Sequence, residues 1–256
     1  MHHLLAYSSS IAQDASLANI SALVDEVLAQ FTSTVYTPET DLKLLRLYAR
    51  GDSVTQVRLD SPLLRQIGPP QIFPFETAAT PSNLPPINKY DESSLPWIRN
   101  DPLAMLISRG GVGAAQCQVL AWVAPQYQQQ TAGPARAVRC TSTIVLTVGS
   151  WVSGTLTFDQ SLPPGRYRII GMAALGNDLL AARLIFPNQV WRPGALAQQA
   201  AGEFDNEWFR RGAFGVYGEF ESYAPPTVQA LGLVAGSEAL TFWLDLVPMS
   251  GQTARF

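Results

Sequence analysis

Histidine is almost absent from this sequence of 256 residues. Its two copies, His2 and His3, lie at the start of the chain, where backbone is usually frayed. A Ser-His-Asp or Cys-His arrangement therefore cannot be assembled in the body of the protein. A metal centre of the kind that imidazoles form inside β-barrels is excluded for the same reason, and no cofactor or metal ion is expected.

Charge is also scarce. Charged residues make up 14% of the chain and the formal net charge is only −3, whereas about 25% charged residues is usual for a soluble domain. No basic arm or patch is present to neutralise phosphates, which disfavours direct nucleic-acid binding. Extensive interfaces lose Lys, Glu and Asp, so the composition favours an obligate oligomer.

The two cysteines are too few for a disulfide framework or a zinc site. Cys117 and Cys140 lie in apolar strand-like runs, and we predict that both are buried free thiols. No segment reaches the roughly eighteen apolar residues of a membrane span. The first residues lack a basic region followed by an apolar one, so the sequence predicts synthesis in the cytoplasm without a secretory signal.

The chain contains an internal repeat. Residues Pro38–Pro62 align without gaps on Pro163–Pro187 at an interval of 125, with six identities in 25 positions that include Gly51 on Gly176. Both segments have the pattern of a β-hairpin, Leu42–Leu59 in the first copy and Tyr167–Leu184 in the second. A period near half the chain predicts two copies of one fold rather than a solenoid. Two unrelated hairpins with similar turn residues are the alternative.

Strand patterns dominate the remaining sequence, which predicts an all-β protein. Further strands are expected at Ala114–Ala124 in the first copy and at five places in the second. The latter are Ser142–Val148, Val152–Phe158, Gly215–Glu221, Thr227–Val234 and Ala239–Val247. Pro125 and Pro248 each follow a final strand, where the missing N–H of proline is tolerated.

Three stretches depart from this pattern. Apolar residues at helical spacing over 17–31 predict a short amphipathic helix, although Val27–Thr34 falls opposite the strand Val152–Asp159 in the repeat. Seven prolines over 69–97 predict a long loop that excludes regular sheet. Residues 126–136 have the composition of a linker. The predicted domains are therefore 1–125, with an N-terminal arm and the Pro-rich loop, and 137–256.

Carboxylates are the remaining route to catalysis. Glu203, Asp205 and Glu207 cluster in sequence, and Glu219 and Glu221 share one face of a predicted strand. Two carboxylates about 5–10 Å apart are what a glycosidase requires. Arg210 and Arg211 follow the first cluster directly, however, so ion pairs in a surface loop are the simpler interpretation, and we predict no catalytic residue.

Aromatic residues in loop-like contexts are the candidate interface residues. Trp97, Trp191, Trp208 and Phe209 lie in Pro-rich or aromatic segments outside the main strands. Large aromatic groups often anchor interfaces, so we predict that these four contact neighbouring subunits. Trp122, Trp151 and Trp243 lie in or beside strands and are predicted to be core residues.

The two hairpins, the closing strands Ala114–Pro125 and Ala239–Pro248, the few charges and the Pro-rich excursion resemble the double jelly-roll major capsid proteins of tailless icosahedral viruses, the lineage of adenovirus hexon. The resemblance covers roughly Ser10–Met249 and rests on architecture, because no family motif specifies a site. It implies two tandem eight-stranded jelly-roll β-sandwiches in each chain.

The resemblance also implies a role in the virion. In that family three chains form a trimer with a pseudo-hexagonal outline that tiles an icosahedral shell. The implied partners are other copies of the chain, minor capsid or penton proteins and, in many such viruses, an internal membrane. Assembly in the host cytoplasm follows for a bacteriophage or related virus, with no direct contact to nucleic acid.

Two other classes of function remain open at this stage. The chain is also compatible with a trimeric jelly-roll spike that binds a receptor or carbohydrate in a groove around Trp208 and Glu219–Tyr223. A two-carboxylate glycoside hydrolase is the third alternative. Lattice or shell formation distinguishes the first class, and discrete trimers that bind glycans distinguish the second.

Overall fold

The structure is a computed structural model that describes residues 2–23, 29–31, 34–67, 71–73, 75–77, 88–89, 95–125, 136–187, 189–198 and 216–249. The chain divides into two compact units. The N-terminal unit is Leu4–Gln126, and the C-terminal unit is Tyr127–Phe256 together with Met1–His3. Strands dominate the described residues and one short helix interrupts them, so the predicted all-β class is confirmed.

The N-terminal unit contains two sheets. The first sheet has the order β1-β11-β5-β8, with β9 also on β5, and the second has the order β3-β4-β10-β6-β7, with β2 on β10. The elements are β1 (His3–Ile11), β2 (Ala18–Asn19), β3 (Ala29–Phe31), β4 (Val35–Pro38), β5 (Leu42–Gly51), β6 (Val54–Asp60), α1 (Pro62–Ile67), β7 (Gln71–Phe73), β8 (Asn88–Lys89), β9 (Leu95–Trp97), β10 (Leu103–Arg109) and β11 (Ala115–Pro125).

The C-terminal unit forms one nearly closed sheet of nine strands. Its first half has the order β14-β12-β20-β15, with β18 on β15, and its second half has the order β13-β19-β16-β17. We call these halves the first and second sheets, and β17 joins them by pairing with both β15 and β16. The strands are β12 (Arg136–Leu146), β13 (Trp151–Thr155), β14 (Thr157–Phe158), β15 (Arg166–Leu175), β16 (Leu179–Ile185), β17 (Gly194–Gln198), β18 (Gly218–Glu221), β19 (Thr227–Gly232) and β20 (Gly236–Pro248).

The two units share one order of strand pairing. In the first sheets, β1, β11 and β5 correspond to β12, β20 and β15, and β8 with β9 corresponds to β18. In the second sheets, β4, β10, β6 and β7 correspond to β13, β19, β16 and β17. The eight positions also follow the same order along the chain, so the predicted equivalence of the two hairpins extends to the strands around them.

Two β-bulges in each unit fix this correspondence to single residues. Leu45 is skipped where β5 pairs with β11, and Ile170 is skipped where β15 pairs with β20. Thr55 is skipped between β6 and β10, and Leu180 is skipped between β16 and β19. In each of these two pairs, the skipped residues are 125 positions apart in the sequence, which is the interval of the repeat. A bulge increases local twist, so the two hairpins coil at the same places.

The turns of the two hairpins are equally close-packed. A Cβ built on Gly51 would lie 2.6 Å from Cys117 Sγ, and one built on Gly176 would lie 2.7 Å from Leu240 Cδ2. Cys117 and Leu240 occupy corresponding positions on β11 and β20. The approach of the neighbouring strand therefore favours glycine at both turns, and the predicted match of Gly51 with Gly176 is confirmed.

Alternating hydrophobicity explains where the core lies in the C-terminal unit. On β12, Val138, Cys140, Ser142, Ile144 and Leu146 are buried, while the alternate side chains Arg139, Thr143 and Val145 are exposed. A strand places alternate side chains on opposite faces, so one face of β12 packs inward. In contrast, β5 in the N-terminal unit is a nearly continuous buried run, as strands covered on both faces are.

The helix predicted over 17–31 is wrong for the described residues. Ala18–Asn19 is a strand on β10, and Ala29–Phe31 is a strand on β4. Between them, Leu23 N donates to Ala6 O at 2.9 Å. The apolar residues there pack along sheet edges, so their helical spacing does not reflect a helix. The helix α1 was not predicted, although Ser61 caps it by accepting a bond from Leu64 N at 3.1 Å and Pro62 provides a typical first residue.

The Pro-rich stretch 69–97 is not free of sheet. The strands β7, β8 and β9 lie within it and pair with β6 or β5. They are two or three residues long, and Pro96 lies in β9, which pairs with β5 and with no other described strand. Prolines therefore shorten these strands and confine them to edges rather than excluding them. The predicted linker, except Arg136, lies outside the described residues.

Candidate interaction surface

The first candidate surface is one end of the C-terminal unit, which we call the Tyr223 end. It comprises the loop between β16 and β17, the strand β18 and the turn that follows it. Tyr223 is 85% exposed and Val190 is 51% exposed. Exposed large apolar groups beside polar ones are typical of contact sites, so this end has the chemistry of a binding surface.

Backbone contacts hold the loops of the Tyr223 end in place. Gln189 Nε2 donates to Glu219 O at 3.2 Å, which ties the loop after β16 to β18. Ser222 N donates to Gly165 O at 2.8 Å, and Gly165 N donates to Ser222 Oγ at 3.1 Å. A side chain presented by such fixed loops loses little entropy on contact with a partner.

The charged residues at this end form an ion-pair cluster. Glu219 accepts hydrogen bonds from Arg168 Nε at 2.8 Å and Nη2 at 2.5 Å, and its other oxygen pairs with Arg166 Nη2 at 2.6 Å. Glu221 lies opposite Arg166 in the pairing of β18 with β15. The Glu219 carboxylate thus attaches β18 to β15. Glu203, Asp205 and Glu207 lie outside the described residues.

The four predicted interface residues differ in their surroundings. Trp191 is half-buried in the loop between β16 and β17, at the Tyr223 end. Trp97 is only 2% exposed, and its Nε1 donates to Asp101 O at 2.7 Å. Trp208 and Phe209 lie outside the described residues. The interface role remains a prediction, and Trp191 is the described residue whose position suits it.

The two histidines are buried rather than frayed. His2 and His3 are both 0% exposed. His2 Nε2 lies 3.2 Å from Gly194 N, and its ring meets Tyr217 edge-on with centroids 4.5 Å apart. His3 Nδ1 accepts a hydrogen bond from Arg192 N at 3.0 Å. The start of the chain is therefore part of the C-terminal unit, contrary to the expectation from its terminal position.

A buried arginine organises one end of the N-terminal unit. Arg109 has a side chain with 0% exposure. Its Nη1 donates to Gly113 O at 2.5 Å and its Nε donates to Asp52 O at 3.0 Å. Nη1 also lies 3.4 Å from Ile11 O. One guanidinium thus joins three loops, and it supports a turn in which Val112 is 92% exposed.

A second buried polar group lies along β5 of the same unit. Tyr48 donates to the Glu76 carboxylate, and Arg50 Nη1 donates to Gln118 Oε1 at 2.6 Å. Burial, followed by the Glu76 hydrogen bond, raises the pKa of Tyr48 well above its usual range. Burial lowers the pKa of Arg50. Sequence reasoning found neither this group nor Arg109, because isolated polar residues in apolar strands give no pattern.

The cysteine prediction is confirmed. Cys117 and Cys140 are free and buried. Burial, with a smaller contribution from Asp159, raises the pKa of Cys140 to about 12, and burial also raises the pKa of Cys117. Thiols with raised pKa values are poor nucleophiles at neutral pH, so the arrangement serves packing.

Two features are absent from the part of the chain that the structure describes. Within those ranges, no three His, Cys, Asp or Glu side chains form a group suited to hold a metal ion. Of the helices in the same ranges, none has the length and apolar character required to cross a membrane.

Comparisons with known proteins add one structural likeness. No family model matches the chain, and no curated protein matches it. Among solved structures, the chain is similar to the major capsid protein P2 from bacteriophage PM2, with 8% sequence identity and a TM-score of 0.23 over 98% of this chain and 99% of that chain. A TM-score this low carries no argument about the function of this chain.

Proposed function

We propose that the protein is the structural subunit of a virus shell, a double jelly-roll capsid protein that acts without catalysis or a cofactor. The observation that carries the proposal is the repeat itself. Both units place eight strand positions in the same pairing order, with bulges at Leu45 and Ile170 and at Thr55 and Leu180. That order is the one expected when each unit is a jelly roll of two four-stranded sheets.

Two equivalent sandwiches in one chain have a geometric consequence. Most oligomers have closed symmetry, and a threefold assembly of this chain would present six similar edges. Such a trimer approximates a hexagon, the shape that fills a flat lattice. The duplication therefore suits a trimer that tiles a shell, because one chain supplies two nearly equivalent sides.

Surface chemistry supports the same proposal. Charged residues are 14% of the chain, and obligate interfaces commonly bury more than about 2,000 Å² of charge-poor surface. Exposed apolar groups lie on loops at the ends of the units, such as Val112, Val190 and Tyr223. We therefore propose contacts between copies of the chain, and between trimers, as the main interactions.

The remaining partners follow from this role. We propose a location in the virion after assembly in the host cytoplasm, with minor capsid or penton proteins at the vertices. The inner surface would face a membrane or the interior of the particle without binding the genome directly, because the sequence carries a net charge of −3 rather than a basic surplus.

Electron microscopy of the purified full chain tests the proposal, combined with sedimentation velocity over a range of concentrations. We expect trimers at low concentration and hexagonal sheets or closed shells at high concentration. A monodisperse monomer at every concentration and ionic strength would contradict the proposal.

The second candidate function is a trimeric spike that binds carbohydrate or a receptor. The observation that favours it is Tyr223, an aromatic side chain with 85% exposure in the turn that follows β18, the strand whose Glu219 pairs with Arg166. An exposed aromatic ring on the same turn as polar groups suits a sugar. This function predicts discrete trimers that bind glycans, and Tyr223→Ala should abolish that binding. Shells that form without any glycan binding would exclude it.

A further inference from the structure

Two buried histidines hold the backbone that leads into β17. His2 and His3 belong to the C-terminal unit, and both are 0% exposed. His3 Nδ1 accepts a hydrogen bond from Arg192 N at 3.0 Å, and His2 Nε2 lies 3.2 Å from Gly194 N. Both contacts fall on the segment between the loop after β16 and the beginning of β17, so the two imidazoles fix the end of that loop.

The loop fixed in this way carries part of the Tyr223 end. Trp191 directly precedes Arg192, and Val190 beside it is 51% exposed. The same backbone is also attached to β16, because Leu184 N donates to Pro193 O at 2.7 Å. Loss of the His3 contact would therefore free the loop at Arg192 while β17 stays in the sheet.

The two rings differ in how they respond to a proton. A ring nitrogen that accepts a hydrogen bond from N–H carries no proton, so His3 is neutral, with its proton on Nε2. Protonation of Nδ1 would turn this acceptor into a donor that faces the Arg192 N–H, and it would place a charge in a fully buried site. His2 Nε2, in contrast, lies 3.3 Å from Gly194 O, so a protonated His2 can donate to that carbonyl.

Among the described residues, the titratable neighbours of the two rings are neutral or positive. Tyr217 meets the His2 ring edge-on, with centroids 4.5 Å apart, and the loop packed against His3 contributes Arg192. A phenol is neutral and a guanidinium is positive at neutral pH, and the other titratable groups of the segment are the two imidazoles themselves. None of these groups stabilises a protonated His3.

We infer that His3 is an acid-sensitive contact, which releases the loop at Arg192 when its ring takes up a proton and so loosens the Trp191 side of the Tyr223 end. An ordinary imidazole has a pKa of about 6.5. Because the contact requires neutral His3, it is complete above about pH 7 and is lost as pH falls towards 5. The release is a property of the single chain, whereas its effect on self-association rests on the proposed function.

Hydrogen exchange of the full chain at pH 7.5 and pH 5.5 tests the release, with each rate divided by the intrinsic rate at the same pH. Exchange reports local opening of this kind. Protection of peptides that contain Arg192 should fall about tenfold between the two conditions, since one histidine with an ordinary pKa gives that factor over this range. Peptides from β12 and β20 should keep their protection.

His3→Asn is the test variant, and His2→Gln is its matched control. The Asn carbonyl can take the place of Nδ1 and accept from Arg192 N, but it does not titrate, so protection should be the same at both pH values. His2→Gln keeps a donor and an acceptor near the position of Nε2 and should respond to acid as the wild type does. Thermal unfolding at pH 7.5 checks that both variants fold.

A second measurement uses the wild-type chain itself. The sequence has only two histidines, so histidine labelled with ¹⁵N gives two sets of imidazole signals, and His2→Gln assigns them. The Nδ1 signal of His3 should be that of an unprotonated acceptor at pH 7.5 and of a protonated nitrogen at pH 5.5. The change should follow the same pH range as the loss of protection.

The other outcomes overturn the inference at identifiable points. Unchanged protection in the wild type would show that the His3 contact is not acid-sensitive. A His3→Asn variant that responds as the wild type does would assign the release to another group. If His3 gains a proton while Arg192 stays protected, a negative group compensates the charge and no release occurs.

Sedimentation velocity of the same samples tests the link to assembly separately. We expect self-association of the wild type to weaken at pH 5.5 and that of His3→Asn to stay unchanged. Association that is equal at both pH values in the wild type would exclude an effect of the release on assembly. A chain that is monomeric at both pH values would contradict the proposed function, while the exchange measurement still decides the release.

Discussion

The close approach of strands at the two hairpin turns leads to a paired prediction. Gly51→Ala and Gly176→Ala should each destabilise the unit that contains them. The added methyl group would lie 2.6 Å from Cys117 Sγ and 2.9 Å from Val54 Cγ2 in the first case. In the second it would lie 2.7 Å from Leu240 Cδ2 and 3.0 Å from Leu179 Cβ.

The expected magnitude follows from these overlaps. Carbon atoms pack best at about 3.5–4.0 Å, so each methyl group would intrude by roughly 1 Å. Overpacking of this kind costs about 1–3 kcal/mol. Gly51→Ala should cost more than Gly176→Ala, because Cys117 Sγ is bonded directly to its Cβ, whereas Leu240 Cδ2 is at the end of a longer side chain.

Urea unfolding measures the loss of free energy, and hydrogen exchange of the β5–β6 and β15–β16 peptides locates it. Gly236→Ala is the matched control, because no atom lies within 4 Å of its added methyl group, and its unfolding free energy should change by less than about 1 kcal/mol. In the double variant Gly51→Ala with Cys117→Ala, removal of the sulfur should recover part of the loss due to Gly51→Ala, which a double-mutant cycle detects.

The reasoning would be refuted by Gly51→Ala and Gly176→Ala variants as stable as Gly236→Ala. It would also fail if the loss from Gly51→Ala appeared in the β15–β16 peptides, because the two turns lie in different units. A result in which Gly51→Ala and Cys117→Ala are strictly additive would show that Cys117 does not set the spacing.

Three further predictions concern single side chains. Trp97→Ala should lower the unfolding free energy of the N-terminal unit by about 3–5 kcal/mol, because a buried indole is lost. Trp191→Ala should leave the unfolding free energy unchanged and weaken self-association. Urea unfolding measures the first effect and sedimentation velocity measures the second. The raised pKa of Cys140 means that the thiol ionises in the unfolded chain before it does in the folded one. Stability is therefore lost as pH rises from about 9 towards 12, by up to about 1.4 kcal/mol per pH unit. Cys140→Ala should reduce this slope in urea unfolding between pH 8.5 and 10.5. The Arg65 hydrogen bond lowers the pKa of Asp60, so the ionised Asp60 stabilises the fold above the ordinary carboxyl pKa, and this stabilisation is lost as pH falls below it. Because Arg65 is exposed, Asp60→Asn should lower the unfolding free energy by under about 1 kcal/mol at pH 6. The loss at pH 3, measured by urea unfolding, should be smaller.

The hairpins could be predicted from the sequence because their pattern is local. Alternating or continuous apolar runs on either side of Gly51 and Gly176 determine both strands of each hairpin. The first and last residues of β6 and β16 differ by 125 positions, the repeat interval. The ungapped alignment then extended the prediction from one hairpin to a pair. Bulges at Leu45 and Ile170 keep that alignment in the structure, since an insertion would have shifted the register on one side only.

Features that depend on distant residues could not be predicted. The apolar spacing over 17–31 fits a helix, but the edges of β1 and β10 provide better partners for Ala22 and Ala18. His2 is buried against Gly194, which is 192 residues away. Local pattern contains no information about such contacts, and this also explains why the interface prediction for Trp97 relied on its Pro-rich neighbours rather than on its burial.

The two units also show where a duplicated fold can diverge. Arg109 and Gly232 occupy corresponding positions. Each is the last paired residue of its strand, Arg109 opposite Val54 and Gly232 opposite Leu179. In the N-terminal unit the guanidinium of Arg109 fills the space between three loops. In the C-terminal unit a Cβ at Gly232 would lie 2.9 Å from Val234 O and 3.0 Å from Leu146 Cβ, so backbone and strand close the same end directly.

This difference leaves the pairing of β6 with β10 and of β16 with β19 in common and alters the end of that pairing. A side chain that joins loops permits longer turns, such as Gly110–Gly113, to project a residue like Val112 without loss of order. In the C-terminal unit, where Gly232 occupies the same position, the turn between β19 and β20 is shorter and Val234 is 55% exposed. In the proposed threefold assembly, strands paired in one order would give six similar sides, and unequal ends would keep the alternate contacts distinct.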